Sequence, residues 1–457
     1  MSKTAETTSL YQRQEKIYPR EISGRFNRLR VIAAWILLGL FYVVAWIQID
    51  GQQIVLFDLP ARKFYVFGLT FWPQDFLFLA ILLIIAAFCL FFFTALAGRL
   101  WCGYACPQTV WTEVFVALER FAEGNRMQRM KLDKAPMSGQ KFRRKFTKQF
   151  LWVTFSLWTG FTFVGYFTPI RELAVAIAQF ETGPWETFWV LFYGLATYGN
   201  AGYLREQVCK YMCPYARFQS AMFDADTLVI SYDPERGEKR GKRARKANLE
   251  DLGLGDCIDC SWCVQVCPTG IDIRDGLQYD CIACGACIDA CDQIMDKMNY
   301  PRGLIKYTTQ HAIEKKPSRI LRPRIFIYLG LLTVLCIGFA LGVGGRDPLI
   351  TDVIRDRNAL YRVNNERVEN TYTLSLINKT DDTQRYVISV QEPGYEVRTW
   401  PKIEVPGGAV QRVPVTISRA VDEVSGAYNI HFIIDSADAE ANSEPLSVEP
   451  SRFFAPE

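Results

Sequence analysis

The chain has 457 residues, half of them apolar and 14% aromatic, with a formal net charge of +4. That length allows two or three domains, and so small a charge with no aromatic-basic module argues against a nucleic-acid partner. Fourteen cysteines against two histidines direct attention to thiolate chemistry and away from histidine-ligated haem or zinc.

The apolar residues are clumped. Five runs, Val31 to Ile47, Phe76 to Ala97, Phe150 to Ile170, Trp185 to Leu204 and Ile325 to Val343, approach or exceed the roughly 18 to 20 residues a helix needs to cross a bilayer. They predict a membrane α-helical protein with five transmembrane helices. Lys and Arg crowd the tail (Arg20, Arg25, Arg28, Arg30) and the segments Arg120 to Lys148 and Arg205 to Arg324, and thin out over Gln52 to Thr70 and Arg171 to Gly183. The positive-inside rule then places the N-terminus in the cytoplasm of a multi-pass inner-membrane protein and the C-terminus outside. The first apolar run follows about thirty polar residues without a small-residue cleavage pattern, so it reads as an anchor and not as a removable signal.

In chain order, residues 1–30 form a cytoplasmic tail, and 31–247 a four-helix membrane region that carries two related phrases. The first is Trp101-Cys102-Gly-Tyr-Ala-Cys106-Pro107, where the second crossing leaves the bilayer; the second, Cys209-Lys-Tyr-Met-Cys213-Pro214, follows the fourth crossing. Each has Arg shortly before the first cysteine, a three-residue gap, Pro after the second cysteine, and aromatic sequence beyond (Trp111, Phe115; Phe218, Phe223). This is an internal repeat. A gap of three sets two thiols one helical turn apart on one face, and Pro suits the first turn of the next helix. Both pairs fall at one predicted membrane depth, so Cys102, Cys106, Cys209 and Cys213 are expected to converge. Soft thiolates suit an iron–sulfur cluster, zinc or Cu(I), and spacing does not choose among them. The plainer reading is of small buried residues, which is how Cys89 and Cys336 in mid-span are read.

The basic segment 120–148, with Lys141-Phe-Arg-Arg-Lys145, is expected to face lipid headgroups, and Arg236 to Lys246 to be a linker. Residues 248–307 carry the densest motif: Cys257-Ile-Asp-Cys260-Ser-Trp-Cys263-Val-Gln-Val-Cys267-Pro268, then Cys281-Ile-Ala-Cys284-Gly-Ala-Cys287-Ile-Asp-Ala-Cys291. Gaps of two, two and three, twice over, are the ligand run of a two-cluster bacterial ferredoxin, an inserted α+β module in which the fourth cysteine of each run crosses to the other cluster. Cys257, Cys260, Cys263 and Cys291 are therefore expected to bind one [4Fe-4S] centre, and Cys281, Cys284, Cys287 and Cys267 the other. Pro268 matches the usual ending of a run, whereas Asp292 takes that place after Cys291, a change expected to alter hydrogen bonding and not ligation.

Residues 308–346 form a basic linker (Lys315, Lys316, Arg319, Arg322, Arg324) and the fifth crossing. From 347 to 457 there is no cysteine, and polarity alternates over Tyr372 to Leu376, Arg385 to Val390, Arg412 to Ile417 and Tyr428 to Ile434. Such strands predict an all-β, immunoglobulin-like sandwich, external and periplasmic in a Gram-negative host. Asn378-Lys-Thr380 fits a glycosylation sequon but is expected to be turn chemistry.

No nucleophile with a base, catalytic carboxylate pair or phosphate loop stands out, and His311 and His431 lie outside the spans, so the inventory is two ferredoxin centres and a four-thiol site. Five crossings, duplicated Cys-x3-Cys-Pro, a two-cluster ferredoxin and an external sandwich, in that order, resemble the CcoG family (also called FixG or RdxA), the cytochrome c oxidase accessory proteins. The resemblance covers nearly the whole chain. Cys-x3-Cys-Pro with a ferredoxin also occurs in NapH-like and NosR-like proteins, and the sandwich from Asp347 onward is what separates them. The resemblance implies a cupric reductase that turns Cu(II) into Cu(I) for assembly of cbb-type oxidase, with oxidase subunits or copper-delivery proteins as partners. It makes Cys102, Cys106, Cys209 and Cys213 the place where electrons meet copper. The competing classes are a membrane ferredoxin relaying quinol electrons to a periplasmic reductase, and a non-catalytic assembly scaffold.

Overall fold

The computed structural model describes residues 16–49, 51–245, 252–319, 321–356, 359–380, 382–399, 402–437 and 445–456. The first half of the tail and the stretch from Lys246 to Asn248, where the linker was expected to meet the ferredoxin module, lie outside them. The chain divides into two compact units: residues 1–67 with 79–337, and residues 68–78 with 338–457.

In the first unit, α1 (Arg25–Val44) exposes an apolar surface that includes Trp35, Ile36 and Leu40. Its N-terminus is capped from far away in sequence: Asp289 accepts the backbone N–H groups of Phe26 at 3.2 Å and Asn27 at 2.7 Å, which satisfies two donors that a helix leaves open and favours the positive end of its dipole. α2 (Phe76–Ala97) is followed by the short α3 (Leu100–Tyr104), α4 (Pro107–Glu123), α5 (Arg126–Lys134) and α6 (Gly139–Val164). Then come α7 (Ile170–Gln179), α8 (Pro184–Thr197), wide π-helical turns at Tyr198–Leu204 and Val208–Met212, and α9 (Pro214–Met222).

Among the described residues three helices are long and apolar enough to cross a membrane: Arg25–Val44, Pro73–Ala97 and Pro323–Gly344. The third and fourth apolar runs take another form. The run from Phe150 is cut at Val164, because Gly165 leaves the helix and Pro169 cannot continue one, so α7 starts afresh at Ile170. Trp185 to Leu204 begins as α8 and ends in π turns. These two segments pack on each other where Gly160 and Gly194 bring the backbones together: a Cβ on Gly160 would stand 2.3 Å from the Val190 carbonyl.

The ferredoxin sheet pairs β1 (Val229–Tyr232) with β2 (Ile305–Thr308) antiparallel, Ile230 opposite Tyr307. Its opening strand therefore precedes the basic stretch, whose described part, residues 236–245, lies between the module's two strands in the chain and does not lead into the first of them. Arg236 shows why: it pairs with Asp256 and donates to the carbonyls of Pro301 and Arg302. The short helix Trp262–Gln265 and α10 (Ala286–Met298) lean on this sheet around Ile230, Ile273, Ile288, Met295 and Ile305. The helix α11 (Pro323–Gly344) leads from this unit into the second.

The second unit is a sandwich of two antiparallel sheets. One runs β7 (Glu396–Arg398), β9 (Val410–Ala420), β5 (Arg367–Asn378), β3 (Leu349–Arg355), with β4 (Arg362–Asn364) also on β5. The other runs β8 (Ile403–Val405), β6 (Gln384–Val390), β10 (Ala427–Ser436), β11 (Ser447–Phe454). Period-two alternation turns Val368, Tyr372, Leu374 and Leu376 of β5 inward against Ile430, Phe432 and Ile434 of β10. Asn378 is fully buried, its amide donating to the carbonyls of Asp382 and Val405 and its Oδ1 accepting from Thr380, so it is turn chemistry. Lys379 and Asp75 form a buried ion pair at 2.9 Å that fastens the segment before α2 to the sandwich.

Candidate redox site

In the ferredoxin module the local chain conformation is set by the need to wrap cysteines around a space. Asp259, Ser261 and Ala283 take positive φ, as does Gly285, bending each loop so that alternate side chains turn inward. One cavity is lined by Cys257, Cys260, Cys263 and Cys291, with Trp262 and Arg274. A second is lined by Cys267, Cys281, Cys284 and Cys287, with Cys263 shared between them. The polar environment of the sulfurs is sparse. The N–H of Ala283 donates to Cys281 Sγ at 3.4 Å, and Cys267 Sγ shares a hydrogen bond with the Thr269 hydroxyl at 3.3 Å. Burial pushes the thiols of Cys263 and Cys281 up to about 12. Asp292, which stands in place of the usual Pro, accepts the N–H of Gly303 at 3.0 Å and ties α10 to the strand that follows.

The Cys-x3-Cys-Pro phrases build a second arrangement by a different route. Cys102 sits in α3 and Cys209 in a π turn, while Cys106 and Cys213 are the N-cap residues of α4 and α9, each with Pro at the first helical position. Both phrases therefore fold alike: one thiol in a short turn, the next at the positive end of a helix. Burial pushes the Cys102 thiol up to about 12, and Cys106 and Cys209 add to it; Cys209, pushed up to about 11 by burial, also feels Cys106 and Cys213. The four thiols are thus brought into one electrostatic neighbourhood. Among the described residues no group of three or more His, Cys, Asp or Glu side chains is arranged to hold a metal ion.

Two glutamines cross-brace the repeats. Gln108, two residues after Cys106, donates to the carbonyls of Asn200 at 2.9 Å and Arg205 at 3.0 Å, on the segment that leads to Cys209. Gln219 on α9 reaches back, its Oε1 accepting from Cys102 Sγ at 3.3 Å, while its buried Nε2 has no hydrogen-bond partner among the described residues. That orphaned N–H suits a site where Cys102 becomes a metal-bound thiolate, because the amide then turns and donates to sulfur. Arg205, itself at positive φ, is held by Glu119 at 2.8 Å, and Glu119 also pairs with Arg129 and Lys16.

The two arrangements touch. A Cβ on Gly103 would stand 2.7 Å from the Ile282 carbonyl and 2.9 Å from that of Ala283, so only glycine lets α3 lie on the loop between Cys281 and Cys284. Tyr104 donates to the Cys284 carbonyl at 3.3 Å, and Cys102 packs with Ile282, Cys284 and Ala286. Arg99 donates to the carbonyls of Tyr279 and Ala216, joining the start of α3, the cluster loop and α9. Every cysteine named from the sequence falls in one of these arrangements except Cys89 and Cys336, which stay in their helices. Arg99, Gln108, Glu119 and Gln219 were not singled out, because a buried polar brace leaves no spacing signature; an Arg before each first cysteine was the one hint.

Comparison with known proteins agrees with this chemistry. Residues 204–310 match the family described as a 4Fe-4S dicluster domain, residues 79–122 a 4Fe-4S binding domain, and residues 339–456 the IG-like fold at the C-terminal of FixG. The nitrogen fixation protein FixG of Rhizobium meliloti is 38% identical over 422 residues, covering 84% of this chain and 80% of that protein. Protein RdxB of Cereibacter sphaeroides is 40% identical, covering 85% and 84%, and protein RdxA of the same organism 37% identical, covering 92% of each. With such relatives along most of its length, the chain belongs to the FixG/RdxA family of iron–sulfur proteins.

Proposed function

We propose that this protein is a membrane iron–sulfur electron carrier acting as a cupric reductase, taking Cu(II) to Cu(I) in support of cbb-type oxidase assembly. The observation that carries the reading is the seating of the first cysteine phrase, through Cys102, Gly103 and Tyr104, directly on the Cys281–Cys284 loop. Cys257, Cys260, Cys263 and Cys291 would hold one [4Fe-4S] cluster and Cys267, Cys281, Cys284 and Cys287 the other, the four sulfurs of each set lining one cavity. The clusters supply one-electron storage. Cys102, Cys106, Cys209 and Cys213 form the copper-facing site or ligate a third cluster. Thiols kept protonated by burial release their protons when metal binds, and soft sulfur then retains Cu(I) better than Cu(II).

In this reading α6 and α8 complete five crossings. The tail and the ferredoxin module, its sheet opening at Val229, are cytoplasmic, and the sandwich is the periplasmic surface offered to oxidase subunits or copper-delivery proteins. Anaerobically purified protein with Cys102→Ser and Cys209→Ser is expected to keep both ferredoxin clusters by EPR and to lose cupric reduction at least tenfold; unimpaired reduction would overturn the assignment. A pre-reduced wild type that leaves Cu(II) untouched while reducing a protein partner would make it a relay.

A further inference from the structure

Beside Cys209 lies a cavity of about 160 Å³ that the electron path above does not use. It is bounded by α1 and the segment before it, by α4, by the turn carrying Glu206 and Cys209, and by the Pro268–Thr269 and Ile282 loops of the ferredoxin module. Its position is unusual in that one wall belongs to the four-thiol site and another directly follows Cys267 of the second ferredoxin cavity.

The volume limits what fits. A protein cavity of about 150 Å³ accepts one benzene ring, so this one has room for a single substituted ring. A bare metal ion is also a poor fit, since among the described residues no three carboxylate, thiol or imidazole side chains are arranged to ligate one. The lining suits a ring bearing two hydroxyls: Val31, Val116 and Ile282 give apolar walls, and Asn27, Gln108 and Thr112 give polar groups. Three carboxylates line the space, those of Glu21, Glu113 and Glu206. Glu21 pairs with Arg120 and Glu113 with Arg30, whereas the half-buried Glu206, whose carboxyl burial pushes up, has no ion pair among the described residues. Access follows from α1: Val31 lines the cavity and is also 38% exposed on the apolar outer face shared with Ile32, Trp35 and Ile36, in a helix long and apolar enough to cross a membrane.

We propose that this cavity binds the ring of a membrane quinol and is where electrons enter the protein. Both quinol O–H bonds break and the ring is oxidised to quinone; the two electrons leave singly and would be taken up one each by the two [4Fe-4S] centres that the ferredoxin cysteines would hold, entering beside Cys267. The two protons pass to Glu206 and Glu113. The inference rests on the iron–sulfur reading above and names its electron donor.

The test uses full-length, cluster-loaded protein in detergent under anaerobic conditions, with duroquinol as reductant, duroquinone as a non-reducing ligand and dithionite as control. Wild type is expected to bind duroquinone, seen as tryptophan fluorescence quenching, and to show bleaching of cluster absorbance by duroquinol. Thr112→Trp, which fills the cavity, should weaken quenching and slow duroquinol reduction at least tenfold while dithionite still bleaches the clusters fully. Glu113→Gln should slow duroquinol reduction and leave duroquinone binding within twofold. Unchanged binding and reduction in Thr112→Trp, or a wild type that duroquinol cannot reduce, would overturn the proposal. Cu(II) reduction by dithionite-reduced protein is scored separately, so failure of the cupric reading and failure of the quinol site give different results.

Discussion

The two sets of cysteines reach similar ends by opposite means. In the ferredoxin module the sulfurs are gathered by short loops with positive-φ residues, their surroundings are largely apolar, and each set but for its crossing member comes from one run of sequence. At the Cys-x3-Cys-Pro phrases the sulfurs come from helix ends and π turns, braced by Gln108, Gln219, Arg99 and the Glu119–Arg205 pair, and Cys102 meets its glutamine across 117 residues. A site built from loops is specified by spacing. One built from helix ends depends on everything that holds the helices.

That contrast can be broken at its strongest point by Cys291→Ser. If the crossing cysteine belongs to the first cavity, iron should fall by about four per chain, and the EPR signal of the second ferredoxin cluster should persist. Loss of both signals would mean that the two cavities are not independent, and the ferredoxin would then be as tertiary in character as the paired phrases.

The braced site is next, through Glu119→Gln. Glu119 and Arg129 are fully buried, and removing one partner of a buried charge pair costs about 3–5 kcal/mol; thermal or denaturant unfolding should show it, and ferredoxin EPR should be unchanged in the folded fraction. The pH dependence has a definite sign. Burial pushes this carboxyl up, but Arg205 and Lys16 outweigh it and hold it at about 2, below its usual 4.5. Its contribution is therefore complete above about pH 4.5 and is lost as pH falls through about 2; the variant should lack that acid-side loss. Equal acid sensitivity in both proteins would remove Glu119 as the brace.

The smallest effect is expected at the seam. Gly103→Ala drives a methyl into the carbonyls of Ile282 and Ala283, an overpacking worth about 1–3 kcal/mol. Both ferredoxin clusters should remain, and electron transfer from them to the four-thiol site, followed by rapid mixing of reduced protein with Cu(II), should slow. A rate equal to wild type would show that the contact is not on the path.

The extent to which the chain was legible follows the same division. Wherever ligands or strand faces recur at short, regular intervals, local geometry repeats with them, which is why Cys257 to Cys291 and the alternation in β5, β9 and β10 could be read directly. Hydropathy located the apolar runs, yet it could not see that Pro169 would end one and π turns another, since length alone does not reveal where backbone hydrogen bonding changes register.

The sequence alone thus determined the cysteine spacing of the ferredoxin module, the repeat of Cys-x3-Cys-Pro and the β character of residues beyond Asp347, because each is a periodicity of two to a few residues. Only the tertiary structure decided that α3 lies on the Cys281–Cys284 loop, that Asp289 caps α1, and that Gln219 faces Cys102. These contacts join residues far apart in the chain, and they depend on the fit of surfaces that no local spacing encodes.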